Sequence, residues 1–279
     1  MNQTLEMLRE ISLLKASDIF IVAGRAVSYR LHDQIYEYSD KKMMPEDTQS
    51  AIRDIYELAA NRNIEPLMQK GDDDFSFALP GVSRFRVNTY MQRGSLAAVI
   101  RIISFTLPAP DDLGIPSGIV QLGDLNKGLV LVTGTAGSGK STTLACIIDH
   151  INKTRQKHII TLEDPLEYLH RHDKSIVSQR EINTDTCSYL SALRASLRQS
   201  PDVILLGEMR DYETMQVAMT AAETGHLIFS SLHTIGAANT IDRIIDVFPA
   251  NQQKQICVQL SMVLQCIISQ QLVPSAEGS

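Results

Sequence analysis

The sequence contains no tryptophan, and aromatic residues make up only 5% of its 279 positions. A stripe of aromatics interleaved with basic residues, the platform on which single-stranded nucleic acids stack, is therefore missing. Basic residues are not in excess either, since 26 Lys and Arg stand against 32 Asp and Glu, a net charge of −6. That balance gives no electrostatic footprint for a polyanion, and no nucleic-acid partner is expected. No apolar run approaches the roughly 18 residues needed to cross a bilayer. The opening segment MNQTLEMLRE also lacks the apolar core of a secretory signal. A cytoplasmic location without direct membrane insertion is the expectation. The four cysteines, Cys146, Cys187, Cys257 and Cys266, never fall in C-x-x-C spacing. A structural zinc site and a disulfide framework are both disfavoured. The cysteines read as buried thiols, with Cys257 and Cys266 packing on a helix face. No internal repeat or low-complexity tract interrupts the chain.

What is present is ordinary for a globular protein: 44% hydrophobic and 21% charged residues, in a length that suits about two domains. Residues 1–105 have one character. Leu5 to Ala16 carries apolar residues at helical spacing, and Ile19 to Val22 reads as a short strand. Pro45 to Asn61 opens on Pro-Glu-Asp and places Ile52, Ile55 and Leu58 at helical spacing. Residues 75–79, 83–91 and 97–103 then read as strands joined by turns at Pro80-Gly81 and Arg93-Gly94. This makes a small α+β domain. Residues 106–118 hold three prolines and two glycines, enough to expect a linker or hinge. From 119 onward, apolar runs at 128–133, 157–162, 203–206 and 227–231 alternate with helical patterns at 142–152, 187–199 and 212–224. Alternation of this kind predicts an α/β domain with a mostly parallel sheet covered by helices.

The second region contains Gly134-Thr135-Ala136-Gly137-Ser138-Gly139-Lys140-Ser141, followed by Thr142. It matches the phosphate-loop pattern G-x-x-x-x-G-K-[ST] at every fixed position, between a predicted strand and a predicted helix. Glycines let the backbone turn its N–H groups toward phosphate oxygens. Lys140 supplies a point charge to the β- and γ-phosphates, and the Ser141 hydroxyl is a candidate Mg²⁺ ligand. A nucleoside triphosphate is the implied ligand.

Three further segments bear on its chemistry. Asp202-Val-Ile-Leu-Leu-Gly-Glu208 reads as a buried strand leading to a carboxylate that reaches Mg²⁺ directly or through water. Thr161-Leu-Glu-Asp-Pro-Leu-Glu167 follows another strand and offers Glu163 as a base or water-orienting group. Gly225-His226-Leu-Ile-Phe-Ser-Ser-Leu-His233 sets a histidine at each end of one strand. His233 is placed to sense the γ-phosphate or contact a neighbouring subunit, and His226 is at the opposite end.

These four elements, in this order, resemble the secretion-type AAA+ traffic ATPases of type II secretion, type IV secretion and type IV pili. The segments that carry the likeness are GTAGSGKST, TLEDPLEYLH, SPDVILLGEMRD and AAETGHLIFSSLHT. The likeness is strongest over residues 75–274 and is greatest to the pilus retraction branch. SRFRVNTYMQRG resembles a segment of the retraction enzymes, and no cysteine follows Cys266, where assembly enzymes continue into a tetracysteine module. The resemblance implies a PAS-like α+β domain at 1–105 and a RecA-like ATPase core at 119–279. It further implies ATP and Mg²⁺, with Ser141 and Glu208 on the metal, a homo-oligomer that is a hexameric ring, and an inner-membrane pilus platform protein as partner. The protein would then work at the cytosolic face of that membrane, powering pilus retraction and twitching motility. Arg86 and Arg101 stand where such enzymes place arginines that reach the γ-phosphate of an adjoining site. Read without the family, both are solvated strand residues.

Two departures stand out. Ala23-Gly-Arg-Ala-Val-Ser-Tyr29 replaces the family's double proline, and the chain stops at Ser279, where a helical extension needed for retraction is expected. A pilus assembly or secretion ATPase of the same fold, a nucleotide-gated scaffold with little hydrolysis and a nucleic-acid translocase are the alternative readings.

Overall fold

A computed structural model describes residues 3–32, 34–103 and 107–273. The 105/106 junction and the segment from Pro274 to Ser279 lie outside the described residues. The chain divides into two compact units, Met1–Phe105 and Thr106–Ser279.

In the first unit, α1 (Gln3–Leu13) precedes three strands, β1 (Asp18–Ile21), β2 (Ala26–Leu31) and β3 (Gln34–Lys42). Then come α2 (Pro45–Leu58), α3 (Glu65–Lys70), and β4 (Asp72–Leu79), β5 (Ser83–Gln92) and β6 (Ser95–Ile103). The strands form one antiparallel sheet in the order β3-β2-β1-β6-β5-β4. Met7, Leu8 and Ile11 of α1 and Ile52, Ile55 and Tyr56 of α2 pack with Ile19, Phe85, Val87 and Ile100 of the sheet into a single core. Arg93 and Gly94 both have positive φ (50° and 79°) between the paired Gln92 and Ser95. This is the geometry that lets a two-residue turn follow the twist of its strands. Strands β2 and β3 are absent from the sequence-based expectation. Most of β3 is exposed and polar, so no apolar alternation marks it.

The second unit opens with a turn of 3₁₀ helix at Asp111–Leu113 and the short α4 (Ser117–Val120). Its sheet contains β7 (Gly128–Thr133), β8 (His158–Glu163), β9 (Ile176–Glu181), β10 (Val203–Leu206), β11 (Leu227–Leu232) and β12 (Leu264–Ser269). All neighbours run parallel in the order β12-β7-β11-β10-β8-β9. The helices are α5 (Lys140–Thr154), α6 (Tyr189–Ser196), α7 (Tyr212–Glu223), α8 (Ala237–Asp246) and α9 (Gln253–Val263). Both faces of the sheet are covered. Val130 and Val132 point to the side where Leu144, Ile147 and Ile151 of α5 pack. Leu129 and Leu131 point to the other, against Ala218 and Met219 of α7 and Leu260 of α9. Burial on both faces explains why β7 reads as an unbroken apolar run. Because the strands are parallel, their carboxyl ends share one edge, the place where open α/β sheets bind ligands. That edge receives the phosphate loop after β7, Glu163 at the end of β8, Glu208 after β10 and His233 after β11.

The cysteine expectation is corrected in two respects. Only Cys146 is buried; Cys187 and Cys257 are exposed and Cys266 is half-buried. Cys257 and Cys266 do not share a helix face, because α9 ends at Val263 and the chain re-enters the sheet as β12. The β-rich run Leu264–Ser269 finds an open edge beside β7, and that pairing overrides helical continuation. Among the described residues no helix is long and apolar enough to cross a membrane.

Candidate nucleotide site

The loop between β7 and α5 is built tightly. Gly134 has φ of 150°, and a Cβ there would lie 2.3 Å from the Gln270 carbonyl oxygen and 2.6 Å from Ser138 Oγ. Glycine alone fits. The loop is tied to the end of β12, because Gln270 N donates to the Thr133 carbonyl (2.8 Å) and Gln270 Oε1 accepts from Thr143 Oγ1 (2.9 Å). Lys140, the first residue of α5, is buried and donates from Nζ to the Gly134 and Thr135 carbonyls at 3.0 and 2.8 Å. Burial lowers the Lys140 pKa, partly offset by Glu167 and Glu208. Ser138 Oγ is buried with no partner among the described residues, a polar group left for a ligand or its water.

A cavity of about 430 Å³ opens beside this loop. Ala136, Gly137, Gly139, Lys140, Ser141 and Thr142 line one wall. Glu163, Glu167, Tyr168 and His170 line a second, and Glu208, Arg210 and His233 a third. Gly134, Thr135 and Ser138 stand behind the first wall and shape it.

Glu163 is largely shielded from solvent, and burial pushes its pKa up to about 7. The polar side chains of Thr161 and Gln179 pull the other way, and Glu167 adds to the rise. A carboxyl group titrating near neutrality suits a base that must accept a proton from water. Glu208 accepts from Arg210 Nε at 2.7 Å, with His233 Nε2 3.6 Å from the same oxygen. Thr142 Oγ1 and the Tyr168 hydroxyl are 3.0 Å apart, joining α5 to the loop after β8. Burial lowers the His170 pKa and raises that of Tyr189. His226 is apart from this group, its Nδ1 3.0 Å from the Ala221 carbonyl at the other end of β11.

Arg86 and Arg101 belong to the first unit, where they pair across β5 and β6. The Arg86 guanidinium meets Asp74 at 2.8 Å, and Arg101 Nε meets Asp18 at 3.2 Å. Five residues of the second unit join the site beyond those the motifs single out: Tyr168, Gln179, Tyr189, Arg210 and Gln270. Tyr168 and Arg210 lie inside the acidic segments, so adjacency marks them. The others are brought in by strand pairing and helix packing, which leave no local signal.

Comparison with known proteins agrees with this site. Residues 2–278 match the family of the Type II/IV secretion system protein. The chain is 43% identical over 263 residues to the type IV pilus retractation ATPase PilT of Pseudomonas aeruginosa, covering 94% of this chain and 76% of that protein. It is 43% identical over 272 residues to the twitching motility protein of Neisseria gonorrhoeae, covering 96% and 73%. The crystal structure of the pilus retraction motor PilT with bound ADP superposes with a TM-score of 0.92 at 49% identity, covering 98% of this chain and 79% of that one. With a phosphate loop, a buried carboxylate near neutral pKa and a second carboxylate on one sheet edge, the chain belongs to the type II/IV secretion system protein family, as a nucleotide-binding ATPase similar to pilus retraction ATPases.

Proposed function

We propose that this chain is a subunit of a homo-oligomeric motor, a hexamer, that hydrolyses ATP to retract type IV pili and so powers twitching motility. It works at the cytosolic face of the inner membrane against a pilus platform protein. The observation that carries the reading is the convergence of Lys140, Glu163, Glu208 and His233 on one cavity at the carboxyl edge of the sheet.

The donor set fits Mg²⁺. Among the described residues no three His, Cys, Asp or Glu gather into an all-protein cage. Ser141 and Glu208 line the same cavity as Lys140. One hydroxyl and one carboxylate, completed by phosphate oxygens and water, is the set Mg²⁺ accepts. When bound, the ion neutralises charge between the β- and γ-phosphates. Lys140 turns its ammonium from the loop carbonyls to the phosphates. Glu163 accepts the proton of the attacking water, and His233 reads the γ-phosphate from the third wall. Arg86 and Arg101 serve the γ-phosphate of an adjoining active site, and the 106–118 segment is the hinge through which hydrolysis moves one domain.

In a strain lacking the gene, this chain should restore twitching, and a Glu208→Ala version should leave cells piliated but immobile. Loss of pili in the deletion strain would instead assign the chain to pilus assembly.

A further inference from the structure

Strand β10 stops at Leu206, whose partners are Leu162 of β8 and Ser230 of β11. The next residues, Gly207 to Met209, carry Glu208 to the wall of the nucleotide cavity. They have left the strand, yet they are held from both sides. On the β8 side, Gly207 N donates to the Leu162 carbonyl at 2.8 Å. On the β11 side, the buried Ser231 hydroxyl donates to the Gly207 carbonyl at 2.6 Å. That distance is at the short end of the ordinary O–H···O range. The Ser231 carbonyl also accepts from the Met209 amide, but at 3.4 Å. Little room is left around this peptide. A Cβ on Gly207 would lie 2.8 Å from the Tyr189 hydroxyl and 3.4 Å from Glu163 Cα. Gly207 is thus pinned in a slot between β8 and β11, one residue ahead of Glu208.

We propose that Ser231 is a positioning residue for the metal end of this site, fixing the segment that presents the Glu208 carboxylate to Mg²⁺. This rests on the reading of Glu208 as a Mg²⁺ ligand. Mg²⁺ demands near-ideal octahedral geometry, so a ligand on a wandering segment holds it poorly. A chain that has left its strand has no ladder to steady it, and the Ser231 hydroxyl takes the place of the missing rung. The Met209 amide contact is too long to do this alone. The strand that bears Ser231 leads directly to His233, whose Nε2 is 3.6 Å from Glu208. One hydroxyl therefore ties the metal ligand to the strand that leads to His233. Ser231 borders the nucleotide cavity and a second cavity of about 300 Å³ lined also by Glu208, Arg210, His233 and Arg243. A serine has a single O–H, and here it is given to Gly207, which leaves no donor for a phosphate oxygen. Its part is to hold the protein rather than the nucleotide.

The test is Ser231→Ala in the full chain, read by binding of a fluorescent, non-hydrolysable ATP analogue rather than by turnover. In EDTA the analogue should bind within about twofold of its affinity for the parent chain, because Lys140 and the phosphate loop are untouched. In a Mg²⁺ titration of the same complex the midpoint should rise about tenfold, the low end of what losing a group that supports a metal ligand costs. Ser231→Thr keeps the hydroxyl and suits a strand, and it should return the midpoint to within about twofold of the parent. An unmoved midpoint in Ser231→Ala overturns the proposal, and so does a threonine variant as weak as the alanine one. Affinity lost equally with and without Mg²⁺ overturns it too, since the hydroxyl would then be acting on the nucleotide itself. Should Ser231→Ala melt, Ser231→Cys gives the same reading with only a weak donor in place of the hydroxyl, and an unmoved midpoint again counts against the idea. Glu208→Gln is run in parallel. A parent-like Mg²⁺ midpoint in that variant removes the premise about Glu208, whereas a raised midpoint there beside an unmoved one in Ser231→Ala removes only the role of Ser231.

Discussion

Arg210 and His233 converge on a single oxygen of Glu208, with Arg210 Nε at 2.7 Å and His233 Nε2 at 3.6 Å. The Arg210 side chain is 76% exposed and Glu208 only 15%, so a mobile cation covers a fixed anion. Any metal ion drawn to that oxygen has to displace the guanidinium.

Arg210→Gln should therefore lower the Mg²⁺ concentration needed for half-maximal nucleotide binding by several-fold. Thermal stability should barely change, because exposed ion pairs contribute about 0–1 kcal/mol. A Mg²⁺ titration of fluorescent nucleotide binding reads this directly, and an unchanged midpoint argues against competition.

Lys140→Ala removes the ammonium that donates to the phosphate-loop carbonyls of Gly134 and Thr135. Nucleotide affinity should fall by about 10- to 100-fold, the equivalent of one charge-assisted hydrogen bond. Calorimetric titration with ADP measures it. The nucleotide-free protein should remain folded, since the lost bonds are to carbonyls that water can reach from the cavity.

The pH dependence of stability separates Glu163 from Asp73. Glu163 is raised to about 7, so the folded state holds a proton more tightly than the unfolded chain. Its contribution falls as pH rises from the ordinary carboxylate range to about 7, and the full penalty is present above that. Glu163→Gln should raise the melting temperature by a few degrees at pH 8 and change it little at pH 4.5. Scanning calorimetry at the two values decides.

Asp73 behaves in the opposite sense. Burial pushes its pKa up, but hydrogen bonds from Arg62 and Tyr56 outweigh this and hold it below the usual carboxylate range. The pair is close, with Arg62 Nε 2.9 Å from Asp73 Oδ2 and the Tyr56 hydroxyl at 2.9 Å. Its stabilisation is present above the ordinary carboxylate pKa and is lost as pH falls through the lowered value. Asp73→Ala removes the carboxylate that Arg62 and Tyr56 share, leaving the Tyr56 hydroxyl with Thr89 Oγ1 alone at 2.9 Å, and should cost about 1–3 kcal/mol in urea unfolding of the first unit.

Gly134→Ala should disrupt the loop without touching any ligand atom. The added Cβ meets backbone at 2.3 Å, which no rotamer change relieves. Nucleotide binding and the packing of Gln270 should fail together, seen as lost ADP affinity with a lower melting temperature.

Much of the second unit is legible in the sequence because its signals are local. The phosphate loop is contiguous, and β7, β8, β10 and β11 are apolar runs buried in the sheet. Glu163 and Glu208 follow such runs and so announce themselves. Gln179 and Gln270 do not, because their roles come from strands β9 and β12 pairing at the two margins of the sheet. Strand β9 reads Ile-Val-Ser-Gln-Arg-Glu, four of six polar, since its outward groups serve a loop rather than a core. Strand β3 escaped for a related reason, being solvated along nearly its whole length. The cysteines misled because their burial is a statistical habit, overruled at Cys257 by an exposed helix face.

The attachment of Gln270 to the phosphate loop has a mechanical meaning. Strand β12 lies at the margin of the sheet, parallel to β7, and leaves it beside Gly134. A pull along that strand loads its rungs in shear, so that they share the force instead of opening one by one. The first groups past the last rung are those of Gln270, which grip Thr133 and Thr143 on either side of the loop. Tension on this strand would therefore be delivered to the root of the nucleotide site.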